Sequence, residues 1–421
     1  MTFQAQTDRL LVRASANSVR YVRIHFSAPA APPRAKKTER RPLDLALVID
    51  CSGSMVGEKL QLAKDAARQA IQLLTTRDRV ALIAYGSEVL RLAPAAPLTA
   101  AHRKRLLNAV DGITTMGCTN LSGGWLTGCE EVATEMRANS IARCLLLSDG
   151  LANEGITDVS ALCEHATALR ARGVMTSTFG IGDDFDERLM EGMARAGGGN
   201  FYYVRDAEQI PQFLTAELGE ALEVVARNVE LVVDADAGLE VSSLDGRRIS
   251  SGGTHTRIGL DDVVARQETE LVLRVRFPKM KRNQVTGIRV RLEDADGVLA
   301  EEPVAVSWTA AGHEANDGQP RELVVDRAVA TRYAASARRE ATEYNRAGDL
   351  TSARSAVRGT ADRIREYADG DAVIMAVVAE LESREMEHER VWDASALKDE
   401  SMATYSVMES KQATGMRRRR G

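Results

Sequence analysis

Residues 43–54, with the sequence LDLALVIDCSGS, constrain the fold more than any other stretch of the chain. The stretch is almost continuously apolar up to Ile49, which is typical of a parallel strand buried on both faces. The apolar run ends at Asp50, and Ser52 and Ser54 then alternate with small residues. Alternate positions of an extended loop point to the same side, so the carboxylate and both hydroxyls can converge. Because ligands bind at the carboxyl ends of strands in open α/β sheets, this turn is a candidate binding site.

The D-x-S-x-S pattern suits a hard cation such as Mg²⁺, whose preferred ligands are carboxylate and hydroxyl oxygens. One carboxylate and two hydroxyls do not complete an octahedron, so further ligands must come from other loops. Two loops beside predicted strand ends can supply them, with Thr119 in TTMGCTNLSGG and Asp149 in RCLLLSDG. Taken alone, the pattern also has a structural interpretation, in which Ser52 or Ser54 caps the next helix. The presence of all three pieces in order favours the metal site.

The candidate ligands resemble the full metal-ion-dependent adhesion site (MIDAS) of von Willebrand factor type A (VWA) domains: Asp50, Ser52, Ser54, Thr119 and Asp149. The resemblance covers about residues 40–222 and extends to G-x-G at 180–182 and to GGGNFYYV at 197–204. Within the family, the chain looks most like the bacterial branch, in which an accessory β-rich region follows the A domain. The resemblance implies a Rossmann-like fold and divalent-metal-dependent binding, usually of another protein.

Strand and helix patterns alternate along the predicted VWA domain, residues 40–225. This alternation predicts an α/β fold with a mostly parallel, doubly wound sheet. SEVLRLAP, at 87–94, is expected to pair with the preceding strand as an antiparallel edge. The predicted strands are 43–50, 79–86, 143–148, 174–181 and 200–204. The predicted helices are 55–74, 101–111, 121–138, 158–172, 186–195 and 207–225.

The segments that flank this domain differ from it in the spacing of their apolar residues. Residues 226–312 are short alternating segments divided by Asp, Gly and Pro turns, the pattern of an antiparallel β-sandwich. Two strands are predicted within residues 1–35, and they need a sheet to join, since an isolated hairpin is marginal in water. We therefore expect these strands in the same sandwich, with the domain at 40–225 inserted between. We predict that residues 320–411 form a helical region and that the Arg-rich residues 412–421 form a disordered tail.

Composition limits the partners and the location that we expect. The chain has 421 residues, 44% of them hydrophobic, which is enough for two or three domains with their own cores. A net charge of −5 gives no overall attraction to nucleic acid or to anionic membranes, so we expect neither as a partner. The sequence shows no long apolar span and no signal-peptide pattern at its N-terminus, which favours the cytoplasm. Five cysteines without C-x-x-C spacing fit reduced thiols.

Two of those cysteines flank predicted ligands. Cys51 follows Asp50 directly and Cys118 precedes Thr119 directly, so an assembled site brings the two thiols into neighbouring loops. Proximity does not fix the geometry that a disulfide needs. The sequence leaves open whether the pair is redox-active or simply fills small buried positions.

Two classes of function remain. In the first, Asp50 and Asp149 balance the charge of Mg²⁺, Mn²⁺ or Ca²⁺, and the neutral hydroxyls leave the ion electrophilic for an Asp or Glu of another protein. The alternative is a metal-assisted hydrolase that uses the same cation and needs a general base beside it. No His or Glu occurs in the three motifs, so we expect an interaction module and no enzyme. The identity of the partner, the ion and the oligomeric state stay open.

Overall fold

The computed structural model describes residues 2–30, 41–134, 136–137, 140–182, 185–247, 249–299 and 302–409. The described chain forms two compact units. One lies within residues 32–224, and the other joins the N-terminal segment up to residue 31 with the chain from residue 225 onward. The predicted Arg-rich tail, 412–421, lies outside the described residues.

The described strands are numbered in chain order. They are β1 (Thr2–Thr7), β2 (Leu11–Arg13), β3 (Ser18–Ser27), β4 (Leu43–Asp50), β5 (Arg79–Tyr85), β6 (Val89–Pro97), β7 (Ile141–Ser148), β8 (Val174–Ile181), β9 (Gly198–Val204), β10 (Val224–Ala235), β11 (Glu240–Ser243), β12 (Ile249–Gly252), β13 (His255–Val264), β14 (Glu268–Phe277), β15 (Val285–Glu293) and β16 (Val304–Ala311).

The described helices are numbered in the same way. They are α1 (Glu58–Leu73), α2 (Ala100–Asp111), α3 (Leu121–Ala133), α4 (Val159–Ala171), α5 (Glu187–Ala196), α6 (Ile210–Leu222), α7 (His313–Asp317), α8 (Leu323–Arg346), α9 (Leu350–Arg365), α10 (Ala372–Glu387) and α11 (Ala394–Met408).

The first unit is built on one sheet with the strand order β6-β5-β4-β7-β8-β9. All neighbouring strands pair in parallel except β5 and β6, which are antiparallel. This confirms the predicted α/β fold and its antiparallel edge. Every residue of β4 is buried, as expected for a central strand covered on both faces. The carboxyl ends of β4, β5 and β7 therefore meet at one edge of the sheet.

The segment after β4 differs from its prediction. The sequence predicted a helix over 55–74, but Gly53–Met55 forms a single 3₁₀ turn and α1 begins only at Glu58. The interruption is at Gly57, whose φ of 83° is a left-handed conformation that glycine adopts without a steric cost. The loop after Asp50 is thus held apart from α1 as a separate turn.

The second unit contains two facing sheets. Their strand orders are β1-β3-β14-β11 and β12-β13-β10-β15-β16-β2. Ile24, Leu271, Val290 and Trp308 belong to the apolar core of this unit. The N-terminal segment supplies three described strands rather than the two predicted, and they divide between the sheets. The additional strand, β1, has the polar sequence TFQAQT, which gives no clear strand pattern. At its start only every second residue is partly buried.

One strand pairing in this unit is parallel. β2 pairs in parallel with β16, with Leu11 opposite Thr309. The sequence assigned no direction to the N-terminal strands, so this parallel pairing adds to the predicted antiparallel sandwich without contradicting it. The short strand β2 can join in this sense because β1 and β3, on either side of it in the chain, both lie in the other sheet.

The helices α8 to α11 complete the second unit. Val325 and Val329 of α8 pack against Val272 on the outer face of β14. Beside them, Arg332 Nε donates to Asp245 Oδ1 at 2.5 Å, and both side chains are almost fully buried. This ion pair joins the helical region to the sheet. Throughout the described residues, each helix is either too short or too polar to cross a membrane.

Candidate metal centre

Asp50 and Asp149 come from neighbouring strands of the first unit. Ile49 of β4 lies opposite Leu147 of β7, so the two aspartates follow at the same edge of the sheet. Both side chains are fully buried. The negative charge of Asp149 contributes to raising the pKa of Asp50, after burial, which is the larger cause. Two buried carboxylates side by side repel each other, and a cation between them relieves that repulsion.

The carboxylate of Asp50 is fixed by hydrogen bonds. Its Oδ1 accepts from the backbone N–H of Ser52 at 2.9 Å. Its Oδ2 accepts from Ser148 Oγ at 2.5 Å and from the Tyr85 hydroxyl at 3.2 Å. Burial raises the pKa of Asp50, and the hydrogen bonds from Ser148 and Ser52 oppose this increase. The residues around Asp50 thus orient it before any ligand binds.

The two serine hydroxyls lie together beside Asp50. Ser52 is fully buried and Ser54 is half-buried, and their Oγ atoms are 3.1 Å apart. Neither hydroxyl caps a helix, because the 3₁₀ turn after Ser52 has no side-chain cap and α1 begins after Gly57. The helix-capping interpretation of the pattern is therefore wrong. Both hydroxyls are left for another role.

The loop that carries Thr119 is bound to the loop that carries the serines. Gly53 N donates to Gly117 O at 2.9 Å, and Met116 N donates to Cys51 O at 2.5 Å. Thr119 is 2% exposed, and its backbone N–H donates to Asn153 Oδ1 at 2.8 Å. In the described part of the chain, the hydrogen bonds at Thr119 use its backbone, which leaves its hydroxyl available. The structure therefore joins the loop ahead of Thr119 to the loop that follows Asp50.

Helix α3, which follows Thr119, is held close to the sheet by two glycines. A Cβ on Gly124 would lie 2.4 Å from the ring of Tyr85, and one on Gly128 would lie 2.4 Å from Val48 Cγ2. Both distances are far shorter than real side-chain contacts, so α3 reaches this depth only with glycine there. The close approach positions α3, which begins two residues after Thr119.

The two cysteines beside the predicted ligands have different environments. Cys51 is fully buried, and its Sγ donates to Tyr85 O at 3.0 Å. Burial, followed by the charge of Asp50, raises the pKa of the Cys51 thiol to about 12. Cys118 is exposed, and both thiols are free. Cys51 therefore fills a small buried position, and its thiol resists ionisation.

Several residues around the site were missed by sequence reasoning. Tyr85, Ser148 and Asn153 hold the predicted ligands through the hydrogen bonds described above. Lys59 Nζ lies 3.3 Å from Asp149 Oδ2. Ser148 and Lys59 are close to predicted ligands in sequence, and that proximity was the available signal. Asn153, four residues after Asp149, shares this signal, whereas Tyr85 has none, because only the register of the sheet brings Tyr85 to the site.

The donor set fits a hard divalent cation. All the predicted ligands offer oxygen, from two carboxylates and three hydroxyls, which suits Mg²⁺, Mn²⁺ or Ca²⁺ better than a softer ion. Among the residues that the structure describes, no group of three or more His, Cys, Asp and Glu is placed to hold a metal ion. A site here would therefore depend on the hydroxyls of Ser52, Ser54 and Thr119 as well as on Asp50 and Asp149.

Comparison with protein families gives one matching domain. The model of the von Willebrand factor type A domain matches residues 44–216. The uncharacterized protein YfbK of Escherichia coli (strain K12) is 28% identical over 202 residues, which are 47% of this chain and 35% of that protein. Inter-alpha-trypsin inhibitor heavy chain H1 of Mesocricetus auratus is 28% identical over 249 residues, 58% of this chain and 26% of that protein. The chain thus spans about a third or less of the length of these two relatives.

Two solved structures share the fold over nearly the whole chain. The von Willebrand factor type A protein from Catenulispora acidiphila has a TM-score of 0.71 at 16% identity, covering 99% of this chain and 97% of that one. The ArnB paralog VWA2 from Sulfolobus acidocaldarius has a TM-score of 0.60 at 15% identity, covering 97% of each chain. At such low identity the likeness concerns the fold alone.

Proposed function

Residues 44–216 form a von Willebrand factor type A domain, and from this premise we propose that the chain is a metal-dependent protein-interaction module. The observation that carries the proposal is the pair of fully buried carboxylates, Asp50 and Asp149, beside hydroxyls that serve no capping role. Such a pair is costly without a counter-cation. A MIDAS ion held by these groups would remove that cost and serve as the binding element.

The same residues determine what the site would bind. Asp50 and Asp149 match the charge of a divalent cation, and Ser52, Ser54 and Thr119 add oxygen ligands without adding charge. A bound cation would supply an electrophilic centre for a carboxylate. We therefore propose that the partner is another protein that presents Asp or Glu to the ion. Mg²⁺ is the first candidate, with Mn²⁺ or Ca²⁺ as substitutes.

The rim of the site adds an apolar component to this proposal. Val56 directly follows the 3₁₀ turn of the serine loop and is 68% exposed. Leu151 lies two residues after Asp149 and is 40% exposed. Exposed apolar side chains beside a polar centre are typical of protein-binding surfaces. The partner's acidic residue would accordingly be flanked by apolar side chains that contact Val56 and Leu151.

The proposal assigns binding rather than catalysis to the site. The groups that contact Asp50 are hydroxyls and a backbone amide, and none of these is a general base at neutral pH. We also propose a reducing compartment, the cytoplasm, because all five cysteines are free thiols.

A capture experiment with matched variants tests the proposed function. The full chain is immobilised and exposed to lysate of its source cells, with Mg²⁺, with EDTA, and with EDTA followed by excess Mg²⁺. We expect a specific protein to be retained by the wild type with Mg²⁺, released by EDTA and retained again after Mg²⁺ is restored. Thr119→Ala should lose this protein, because the substitution removes one proposed ligand. Asp111→Ala, an exposed carboxylate on α2 of the same unit, should retain it.

Other outcomes would contradict the proposal. Retention that is insensitive to EDTA and equal in Thr119→Ala would show that binding does not use the cation. Turnover of phosphoester or peptide substrates by the wild type, lost in Thr119→Ala, would replace the interaction module with the hydrolase.

A further inference from the structure

The positively charged side chain of Lys59 lies at the proposed metal site. Its Nζ lies 3.3 Å from Asp149 Oδ2, and its side chain is 18% exposed while that of Asp149 is fully buried. None of the predicted ligands is basic. The ammonium group of Lys59 therefore supplies a positive charge that partly neutralises the Asp149 carboxylate. A divalent ion at the site would carry the same sign of charge as Lys59 and would lie near it.

The position of Lys59 on its helix makes this contact unusual. Lys59 is the second residue of α1, where the unpaired backbone N–H groups carry partial positive charge. A cation is unfavourable in a first helical turn, so helix stability does not account for a lysine there. The contact with Asp149 gives Lys59 a compensating interaction.

The end of β8 leaves space for the Lys59 side chain. Gly182 follows β8 with a φ of 81°, and a Cβ at this position would lie 2.8 Å from Lys59 Cε. Any larger residue at 182 would therefore push against the lysine stem. Gly182 is the second glycine of the G-x-G segment at 180–182, and its absent side chain lets Lys59 extend towards Asp149.

We propose that Lys59 is a resident counter-cation that stabilises the metal-free VWA domain and lowers its affinity for a divalent ion. The proposal rests on the proposed function, since it concerns the same MIDAS. Without the ion, Lys59 offsets part of the charge of the buried Asp149. When the ion binds, Lys59 and the ion repel each other over a short distance, and this repulsion weakens binding. Lys59 thereby keeps cation binding reversible and dependent on the partner's additional carboxylate.

The test compares Lys59→Met with the wild type and with a matched control, all as full chains. Methionine keeps most of the length of the side chain and removes its charge. The control is Lys64→Met, which removes the same charge from α1 at a residue whose Nζ contacts Asp111 O, away from the predicted ligands. Mg²⁺ affinity is measured by titration calorimetry, and thermal unfolding is measured by scanning calorimetry in EDTA.

We expect Lys59→Met to bind Mg²⁺ at least about tenfold more tightly than the wild type, because a nearby like charge is gone. In EDTA, its VWA-domain transition should fall by several degrees, because Asp149 is then buried without its cation. Lys64→Met should match the wild type in both measurements.

The outcomes separate this inference from the proposed function. If the wild type and Lys59→Met bind Mg²⁺ with equal affinity and melt together in EDTA, the role of Lys59 is refuted while the metal site stands. If Lys59→Met binds Mg²⁺ more weakly, the lysine supports the ion instead of opposing it, and the inference is also refuted. If neither protein binds Mg²⁺, Mn²⁺ or Ca²⁺, the proposed function fails and the inference fails with it.

Discussion

A buried ion pair between α6 and the sheet of the VWA domain allows a detailed stability prediction. Glu217 of α6 is fully buried, and its Oε1 lies 3.2 Å from Nη1 of Arg143, which is 1% exposed. Glu217 also accepts hydrogen bonds from Ser177 Oγ at 2.7 Å, Asn200 Nδ2 at 2.7 Å and the Tyr202 hydroxyl at 3.0 Å. The ion pair and its three hydrogen bonds connect α6 to β7, β8 and β9.

The perturbation is Glu217→Gln, which keeps the size of the side chain and removes its charge. Arg143 then loses its buried ion pair with Glu217, and breaking one side of a buried pair costs about 3–5 kcal/mol. The amide also presents a donor where Glu217 offers only acceptors, so one of its three hydrogen bonds is lost. For a unit of this size each kcal/mol lowers Tm by about 2–4 °C, so we expect a decrease of roughly 6–20 °C.

Scanning calorimetry of the full chain measures this decrease in the VWA-domain transition. Glu130→Gln is the matched control, because Glu130 pairs with Arg91 at the surface and is 64% exposed. Loss of a surface pair of this kind costs less than about 1 kcal/mol. If Glu217→Gln destabilises the unit no more than Glu130→Gln does, the buried pair contributes little and the reasoning is wrong.

The same pair predicts a pH dependence. Burial alone would raise the pKa of Glu217, but Arg143 and then the three hydrogen bonds more than offset it, so the pKa is lowered from its ordinary value of 4.5. A carboxyl with a lowered folded-state pKa stabilises the fold above its ordinary pKa, and this contribution is lost as the pH falls through the folded-state value. We expect the difference in Tm between wild type and Glu217→Gln to be full at pH 7 and to shrink below about pH 4.5.

Three further predictions concern the rim of the proposed metal site, the helical region and the N-terminal strands. Val56→Asp and Leu151→Asp should each weaken capture of the partner at least about tenfold while Mg²⁺ affinity stays unchanged, because burying either side chain contributes about 1.5–3 kcal/mol. Equal capture in calorimetric or pull-down titrations would exclude the rim from the interface. Arg332→Met should lower the Tm of the second unit, because the buried Asp245 loses its ion pair with Arg332; an unchanged Tm would contradict this. Deleting residues 1–35 should abolish the protease resistance of the second unit while the VWA domain still unfolds cooperatively, because β3 lies between β1 and β14 in its sheet. A truncated second unit that is as resistant as the wild type would show that β3 is dispensable.

The sequence was most informative where a pattern is local. The run from Leu43 to Asp50 reads as a buried strand because it is apolar on both faces, and the structure confirms β4 with those bounds. The antiparallel edge strand was predicted from the segment SEVLRLAP. The structure agrees, because the burial of β6 is mixed whereas that of β4 is complete. For the site, the sequence singled out two aspartates, and the structure buries both at one edge of the sheet.

The sequence was least informative where contacts join distant residues. Nothing in the local patterns pairs Arg143 with Glu217, which are 74 positions apart, because the pairing arises only when α6 packs on the sheet. The start of helix α1 was placed too near the N-terminus, because the apolar spacing of the helix includes Met55. The left-handed backbone of Gly57 separates Met55 from the helix. The direction of β2 was not predicted, because a three-residue strand carries no signal for it.

The most direct test of the central claim is the Mg²⁺ affinity of the wild type and of Thr119→Ala, measured by titration calorimetry. Thr119 is the best proposed ligand to remove, because its fold-stabilising hydrogen bonds use the backbone and survive the substitution. Circular dichroism and Tm establish that the variant is folded, and Asp111→Ala serves as the control. We predict one Mg²⁺ per wild-type chain, the same affinity in Asp111→Ala, and a loss of at least about tenfold in Thr119→Ala. Equal affinity in the wild type and Thr119→Ala, or no divalent-cation binding by the wild type, would contradict the claim.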